Sequence, residues 1–322
     1  MDEEPGPRSG PAYGHGFASG RGRGGRSARC RRTAHGAGAD LAVRIALVVV
    51  WSSGFISGTL GLRHSAPYTF ATLRFAVAGL VLLAVAAVRR ERLPRGRRLL
   101  HLAVAGVLVQ AVQFSSIYVG MDLGVPSGLA ALIIALYPLT ASLLAVPVLH
   151  ERIRAGQYLG LVLGLGGVAL AVTEGGRLSG GHLLGLGFVA LGLLGISVGT
   201  VYQKRFCGPM EPVSGNAVQL LAAVPVVLLP ALFAEGWDVH PTASYWPVLL
   251  WSALVNSIVG VGLLHHLLRR HGTSQVSSLF YLVPMGTAAL GAVLLGQHLG
   301  PLTLGGLLLA TAGTLLANRV RR

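Results

Sequence analysis

From Leu41 to the C-terminus the chain alternates between runs almost free of charge and short polar connections in which arginine recurs. Each run is about 20 residues long, the length a helix needs to cross a hydrocarbon core about 30 Å thick. Ten membrane helices are expected. In the first half they lie near Leu41–Gly61, Thr69–Val88, Leu99–Val119, Ser127–Leu149 and Gln157–Val172. In the second half they lie near Leu183–Tyr202, Asn216–Phe233, Tyr245–Leu268, Ser274–Leu294 and Leu302–Asn318. The fold class is therefore an all-α integral membrane protein.

Composition closes the alternatives. With 322 residues, 52% apolar and only 11% charged, and a mean hydropathy of +0.65, the chain does not suit a soluble enzyme. Its only cysteines, Cys30 and Cys207, fall in an expected tail and an expected cytoplasmic loop, which excludes a disulfide scaffold. The net charge of +15 suggests nucleic acid until its distribution is followed. With the N-terminus placed in the cytoplasm, all but four of the 26 basic residues fall on the cytoplasmic side. The four are Arg63 and Arg177 outside, and Arg44 and Arg74 within spans. This asymmetry is the positive-inside signature, so the charge reads as topology, with attraction to membrane lipids as a secondary effect and no specific nucleic acid expected. Both termini are expected in the cytoplasm of a multi-pass protein of the plasma or inner membrane.

Residues 1–40, rich in Gly, Arg and Pro, are read as a disordered cytoplasmic tail, since they lack the apolar side chains that would offset ordering entropy. Its basic residues do not lead promptly into an apolar segment and cleavage site, so it is not read as a signal peptide.

Sliding the chain by 146 residues sets Pro138 on Pro284, Gly160 on Gly306, Gly167 on Gly313 and Gln110 on Asn256. With slightly different offsets, Gly54, Gly58 and Thr59 meet Gly195, Gly199 and Thr200, while Pro67 and Arg74 meet Pro212 and Gln219. Two repeats result, residues 41–173 and 183–318, each of five helices. Because five is odd, the second enters the membrane from the opposite side, giving inverted repeats around a shared centre. Such a pair suits alternating access.

Particular residues carry a resemblance. Trp51-Ser52-Ser53-Gly54-Phe55 in the first helix, Phe70-Ala71-Thr72-Leu73-Arg74 in the second and Leu136-Tyr137-Pro138-Leu139 in the fourth are followed by His150-Glu151-Arg152 and Gln157-Tyr158-Leu159-Gly160. Over residues 41–318 the chain resembles the EamA family of the drug/metabolite transporter superfamily. The second half departs from the pattern, with Gln297-His298 where the first has Glu151-Arg152. The resemblance implies ten helices in two homologous halves and a carrier of small metabolites such as amino acids, nucleosides or sugar derivatives. It leaves the cargo open.

No Asp or Glu falls inside an expected span, which disfavours lipophilic cations and favours a neutral, zwitterionic or anionic substrate. Arg74 is the one clear intramembrane charge, about five residues into the second helix, either reaching toward headgroups or holding a substrate carboxylate. Gln110, Gln113 and Phe114 share a helix face by their i, i+3 and i+4 spacing, as do Ser252 and Asn256. Gln110 and Asn256, at matched depths, are expected to bind substrate, against the simpler reading of helix-to-helix glue. Trp51, Tyr137 and Tyr281 are aromatic candidates for the same cavity, and Pro138 and Pro284 are candidate hinges because proline frees a backbone carbonyl. His265 and His266 are read as solvated, with proton acceptance as the alternative. Small-residue stripes at Gly156, Gly160 and Gly164, and at Gly195 and Gly199, are read as internal packing, with a homodimer contact as the alternative.

The leading function is a secondary carrier of a small polar metabolite, directed outward, with an importer or drug efflux carrier of the same fold behind it. No nucleotide-binding signature of the G-x-x-x-x-G-K-[ST] type occurs, so a gradient or exchange must supply the energy. No cofactor, metal site or catalytic residue is expected. A membrane-embedded enzyme or a basic-tailed adaptor is the reading from another class.

Overall fold

The computed structural model describes residues 25–149, 155–174, 180–208, 210–271, 276 and 279–319. It divides into two compact units, residues 1–42 and Val43–Arg322, and the architecture below is that of the second. The expected disorder over residues 1–40 falls outside the described residues as far as residue 24, and from Gly25 the backbone is helical. The His150-Glu151-Arg152 turn, Arg177 and the expected start of the ninth helix at Ser274 also lie outside the described residues.

Among the described residues eight helices are long and apolar enough to cross a membrane: α1 (Asp40–Gly61), α2 (Pro67–Val88), α3 (Arg97–Asp122), α4 (Ser127–Leu149), α5 (Ala155–Glu174), α6 (Gly180–Phe206), α7 (Pro212–Phe233) and α8 (Tyr245–Arg270). Two shorter apolar helices follow, α9 (Phe280–Leu295) and α10 (Pro301–Arg319), the apolar stretch of α10 being Pro301–Gly313. Several outlast their apolar runs, and for that reason Asp122 and Glu174, expected in loops, are instead the last residues of α3 and α5. Large apolar side chains, among them Leu80, Val162, Leu229, Phe233 and Val293, stand exposed on the outside of the bundle. An apolar surface on this scale belongs against lipid rather than water.

Proline opens α2, α7 and α10 at Pro67, Pro212 and Pro301, where its missing N–H costs nothing. Free amides at these ends are taken by carboxylates from the opposite half. The amides of Tyr68 and Thr69 donate to Glu235 at 2.8 Å each, and that of Ser214 donates to Glu91 at 3.1 Å. Those of Leu302 and Thr303 donate to Glu174 at 3.1 and 2.6 Å. An anion at a helix N-terminus also meets the positive end of the helix dipole. These pairings require α2 and α7 to run antiparallel, each starting where the other ends.

α5 and α10 are likewise antiparallel. A Cβ on Gly167 would strike the carbonyl of Gly306, and one on Gly306 the carbonyl of Gly167. Only hydrogen side chains allow these backbones so close. The other glycine stripes also face inward: Gly164 meets Leu136, Gly195 meets Val112 and the carbonyl of Leu108, and Gly199 meets Val109. Equivalent helices of the two repeats thus pack on each other, α2 on α7 and α5 on α10. Between them lies a core centred on Phe70, Phe75, Ile117, Tyr118, Leu132, Leu220, Tyr245 and Leu249.

Candidate functional site

Four helices lose regularity near the bundle centre, and each irregularity brings residues to one cavity. α3 winds as a π-helix over Val107–Val112 and α8 does so over Trp251–Val259. The first holds Gln110 and the second Asn256, so the repeat match extends to backbone conformation. A π turn accommodates an extra residue per turn and is commonly found at functional sites. α4 breaks at Ala135 and Leu136, just before Pro138, and α9 opens with a tighter 3-10 turn over Phe280–Leu282, just before Pro284. Without an N–H, Pro138 leaves the carbonyl of Ile134 without its helical donor. Ile134 and Ala135 both line the cavity.

The cavity encloses about 290 Å³ and is walled by residues of both halves, including Trp51, Arg74, Gln110, Gln113, Tyr137, Asn256 and Pro284. That volume lies at the small end for ligand sites and suits a metabolite. Tyr281 is buried but does not line the cavity, and Pro138 stands one residue behind Tyr137 without lining it. Phe114, Tyr118, Ser257 and Phe280 line it as well. Of these, Tyr118 was legible one turn beyond Phe114 on the face that carries Gln110. Ser257 and Phe280 had no signal in the sequence.

Arg74 sits at the buried end. Its side chain does not reach toward headgroups; Nε donates to the Ser257 hydroxyl at 3.2 Å and one terminal nitrogen donates to the Tyr118 hydroxyl. The guanidinium carbon lies 4.2 Å from the centre of the Phe114 ring, a cation–π distance. Beyond it, Phe70 packs edge-on against both Tyr118 and Tyr245 and closes that end. Among the described residues no carboxylate reaches Arg74. A cation taken out of water without a counter-ion is costly, and this one keeps N–H donors not used by Tyr118 or Ser257.

The two matched carboxamides differ. The Oδ1 of Asn256 accepts from Ser53 at 3.2 Å, its Nδ2 donates to Ser57 at 3.1 Å, and Trp251 Nε1 donates to Ser53 at 2.9 Å. Asn256 therefore ties α8 to α1. Gln110 and Gln113 have no side-chain hydrogen-bond partner among the described residues, and neither does the Tyr137 hydroxyl. Trp51 is held edge-on by Phe280, ring centres 5.0 Å apart. Gln219, the repeat equivalent of Arg74, lies away from the cavity and donates to Gln203 at 3.1 Å. His265 is engaged with the carbonyl of Val261 at 2.9 Å.

At the other end of the cavity Thr200 is exposed, six residues before the end of α6, which carries Lys204 and Arg205. The result is a pocket of mixed apolar and polar wall, with Arg74 as the one cation among its described lining residues. It can hold a small solute by a carboxylate or other anion at one end and by carboxamides along its side.

Comparison with known proteins adds to this geometry. The profile of the EamA-like transporter family matches residues 39–173 and 183–319. An "Uncharacterized inner membrane transporter YedA" of Escherichia coli K12 is 31% identical over 260 residues, 80% of this chain and 82% of its own. A "Probable amino-acid metabolite efflux pump" of Salmonella typhimurium is 31% identical over 291 residues, 86% of this chain and 94% of its own. A "Probable terminal-alkyne amino-acid exporter" of Streptantibioticus cattleyicolor is 30% identical, covering 84% and 91%. One solved structure superposes with a TM-score of 0.61 over 85% of this chain and 98% of its own at 19% identity, a likeness of fold.

Proposed function

The chain belongs to the EamA-like transporter family, and from that premise we propose that it is a secondary carrier exporting a small carboxylate-bearing metabolite of the amino-acid type. It is a multi-pass membrane transporter rather than an enzyme. Two of its relatives are named for amino-acid export, which supports both the substrate class and the outward direction. The observation that carries the reading is Arg74: a buried guanidinium without a carboxylate partner among the described residues, at the closed end of a cavity whose Gln110 and Gln113 carboxamides are unengaged. A carboxylate on Arg74 forms charge-assisted hydrogen bonds, with Gln110, Gln113 and Tyr137 meeting the rest of the solute.

The ten helices act as two inverted halves with both termini in the cytoplasm, so the mouth beside Thr200 faces inward. Alternating access then opens the Phe70, Tyr118 and Tyr245 end while the other closes, with Pro138 and Pro284 absorbing the backbone change. Asn256, Trp51 and Tyr281 hold the frame of the site.

Counterflow in proteoliposomes, with a panel of amino acids and related carboxylates, tests the proposal. Saturable exchange is expected, and Arg74→Gln should weaken it about 10- to 100-fold, the worth of a hydrogen bond to a charged group. Exchange of the panel that is indifferent to this substitution would reject the role given to Arg74.

A further inference from the structure

The charge of the cavity follows from its wall. Among the described residues that line it, Arg74 is the one formally charged side chain; the others are carboxamides, hydroxyls, aromatic rings and aliphatic groups. The carboxylates associated with α2 are committed at its ends. Glu235 accepts from the amides of Tyr68 and Thr69, and Thr69 lies about 7 Å along the helix from Arg74. Glu91 holds the amide of Ser214 at the opposite end.

An empty site of this kind carries one positive charge in a medium of low dielectric. A monoanion neutralises it. A zwitterion leaves the total at plus one, and its ammonium meets only neutral acceptors beside a fixed cation. Phe55, Ile117, Ile134, Leu264, Phe280 and Val283 make the rest of the wall apolar.

We propose that the transported species is a net monoanion, a carboxylate on an uncharged and largely apolar body, and that the membrane potential drives its export. The proposal rests on Arg74 being the carboxylate anchor. The loaded site is neutral and crosses without work against the field. The unloaded site carries Arg74 and is drawn back toward the negative interior. Each cycle therefore moves one negative charge outward, and no proton or sodium ion is required. At 100 mV the equilibrium ratio is about 50-fold, which is the ~2.3 kcal/mol gained per elementary charge converted at ~1.36 kcal/mol per tenfold.

The test uses the full chain in proteoliposomes with a potential set by potassium and valinomycin. Three solutes share one side chain: leucine, N-acetyl-leucine and 4-methyl-2-oxopentanoate. Uptake of the two anions should show a KM at least tenfold below that of leucine. It should rise several-fold when the lumen is made 100 mV positive, approaching about 50-fold accumulation, and should not change with a pH or sodium gradient. Gln113→Glu, which places a carboxylate in the same wall, should reverse the preference toward leucine. Arg74→Lys should retain the response to potential. Leucine flux that depends on Arg74 but ignores the potential, or flux that requires a pH gradient, overturns the monoanion proposal and leaves the anchor standing. Anion flux unchanged by Arg74→Gln overturns the anchor, and absence of saturable flux for all three solutes overturns both.

Discussion

The contrast between Gln110 and Asn256 shows how residues with equivalent places in two repeats take different roles. Asn256 bridges Ser53 and Ser57, so Asn256→Leu should lower thermal stability, at about 0.6 to 2 kcal/mol for each hydrogen bond lost within a membrane bundle. Gln110→Leu removes no internal bond among the described residues, so it should leave the melting temperature within a degree or two while raising the KM for substrate. Fluorescence-based unfolding in detergent, read beside counterflow, separates the two effects. Equal loss of stability in both variants would mean that Gln110 has a structural partner in the folded state. Burial of Cys207, just beyond α6, pushes its thiol up, with Arg98 pulling it down more weakly. The thiolate is the reactive form, so maleimide should label a Cys30→Ser protein slowly at neutral pH, faster only above the ordinary thiol range, and promptly once unfolded. Fast labelling of the folded protein at neutral pH would contradict this environment. The sequence marked both carboxamides for one task. It held no sign that Ser53 and Ser57 would already occupy one of them, because α1 and α8 are about 200 residues apart.

At the scale of elements, the bundle depends on contacts that cross from one repeat to the other. Glu235 receives three hydrogen bonds at the start of α2, from the amides of Tyr68 and Thr69 and from the Thr69 hydroxyl at 2.9 Å. Glu235→Gln keeps the shape but loses the charge at a helix N-terminus, worth about 0.3 to 1 kcal/mol, so a small drop in melting temperature is expected. Glu235→Ala should cost more, since donors are then left without an acceptor. No change in either variant would show these bonds to be dispensable. Pro138→Ala restores an N–H that can reach the carbonyl of Ile134, and straightening α4 in this way should slow exchange while leaving binding intact. The expected readout is a lower maximal rate with an unchanged KM. The breaks at Pro138 and Pro284 were legible from sequence, because proline forbids a regular helix by its covalent structure. The π-helical turns in α3 and α8 were not, since Val, Leu, Ala, Gln, Asn and Ser accept either winding and packing decides between them.

From Val43 onward the chain is an apolar bundle, and the expected orientation puts the connection after α2 and the segment after α7 on opposite sides of the membrane. Cysteines introduced one at a time into the Arg89–Arg98 connection and into the segment between α7 and α8 should be labelled from opposite sides of intact vesicles. Labelling from the same side would break the inverted arrangement. The number and spacing of apolar runs, the pairing of the halves and the single cation in the second helix are properties of composition and spacing. Sequence alone determined them, because membrane thickness and the cost of moving charge through it act on any chain alike. Only the tertiary structure decided that Arg74 turns inward onto Tyr118, that Glu235, Glu91 and Glu174 are held by helix ends of the other half, and that Tyr281 stays out of the cavity. Those outcomes depend on which helix faces which across separations of more than forty residues, and on which polar groups find partners first. Such pairings exist only once the two halves have packed together.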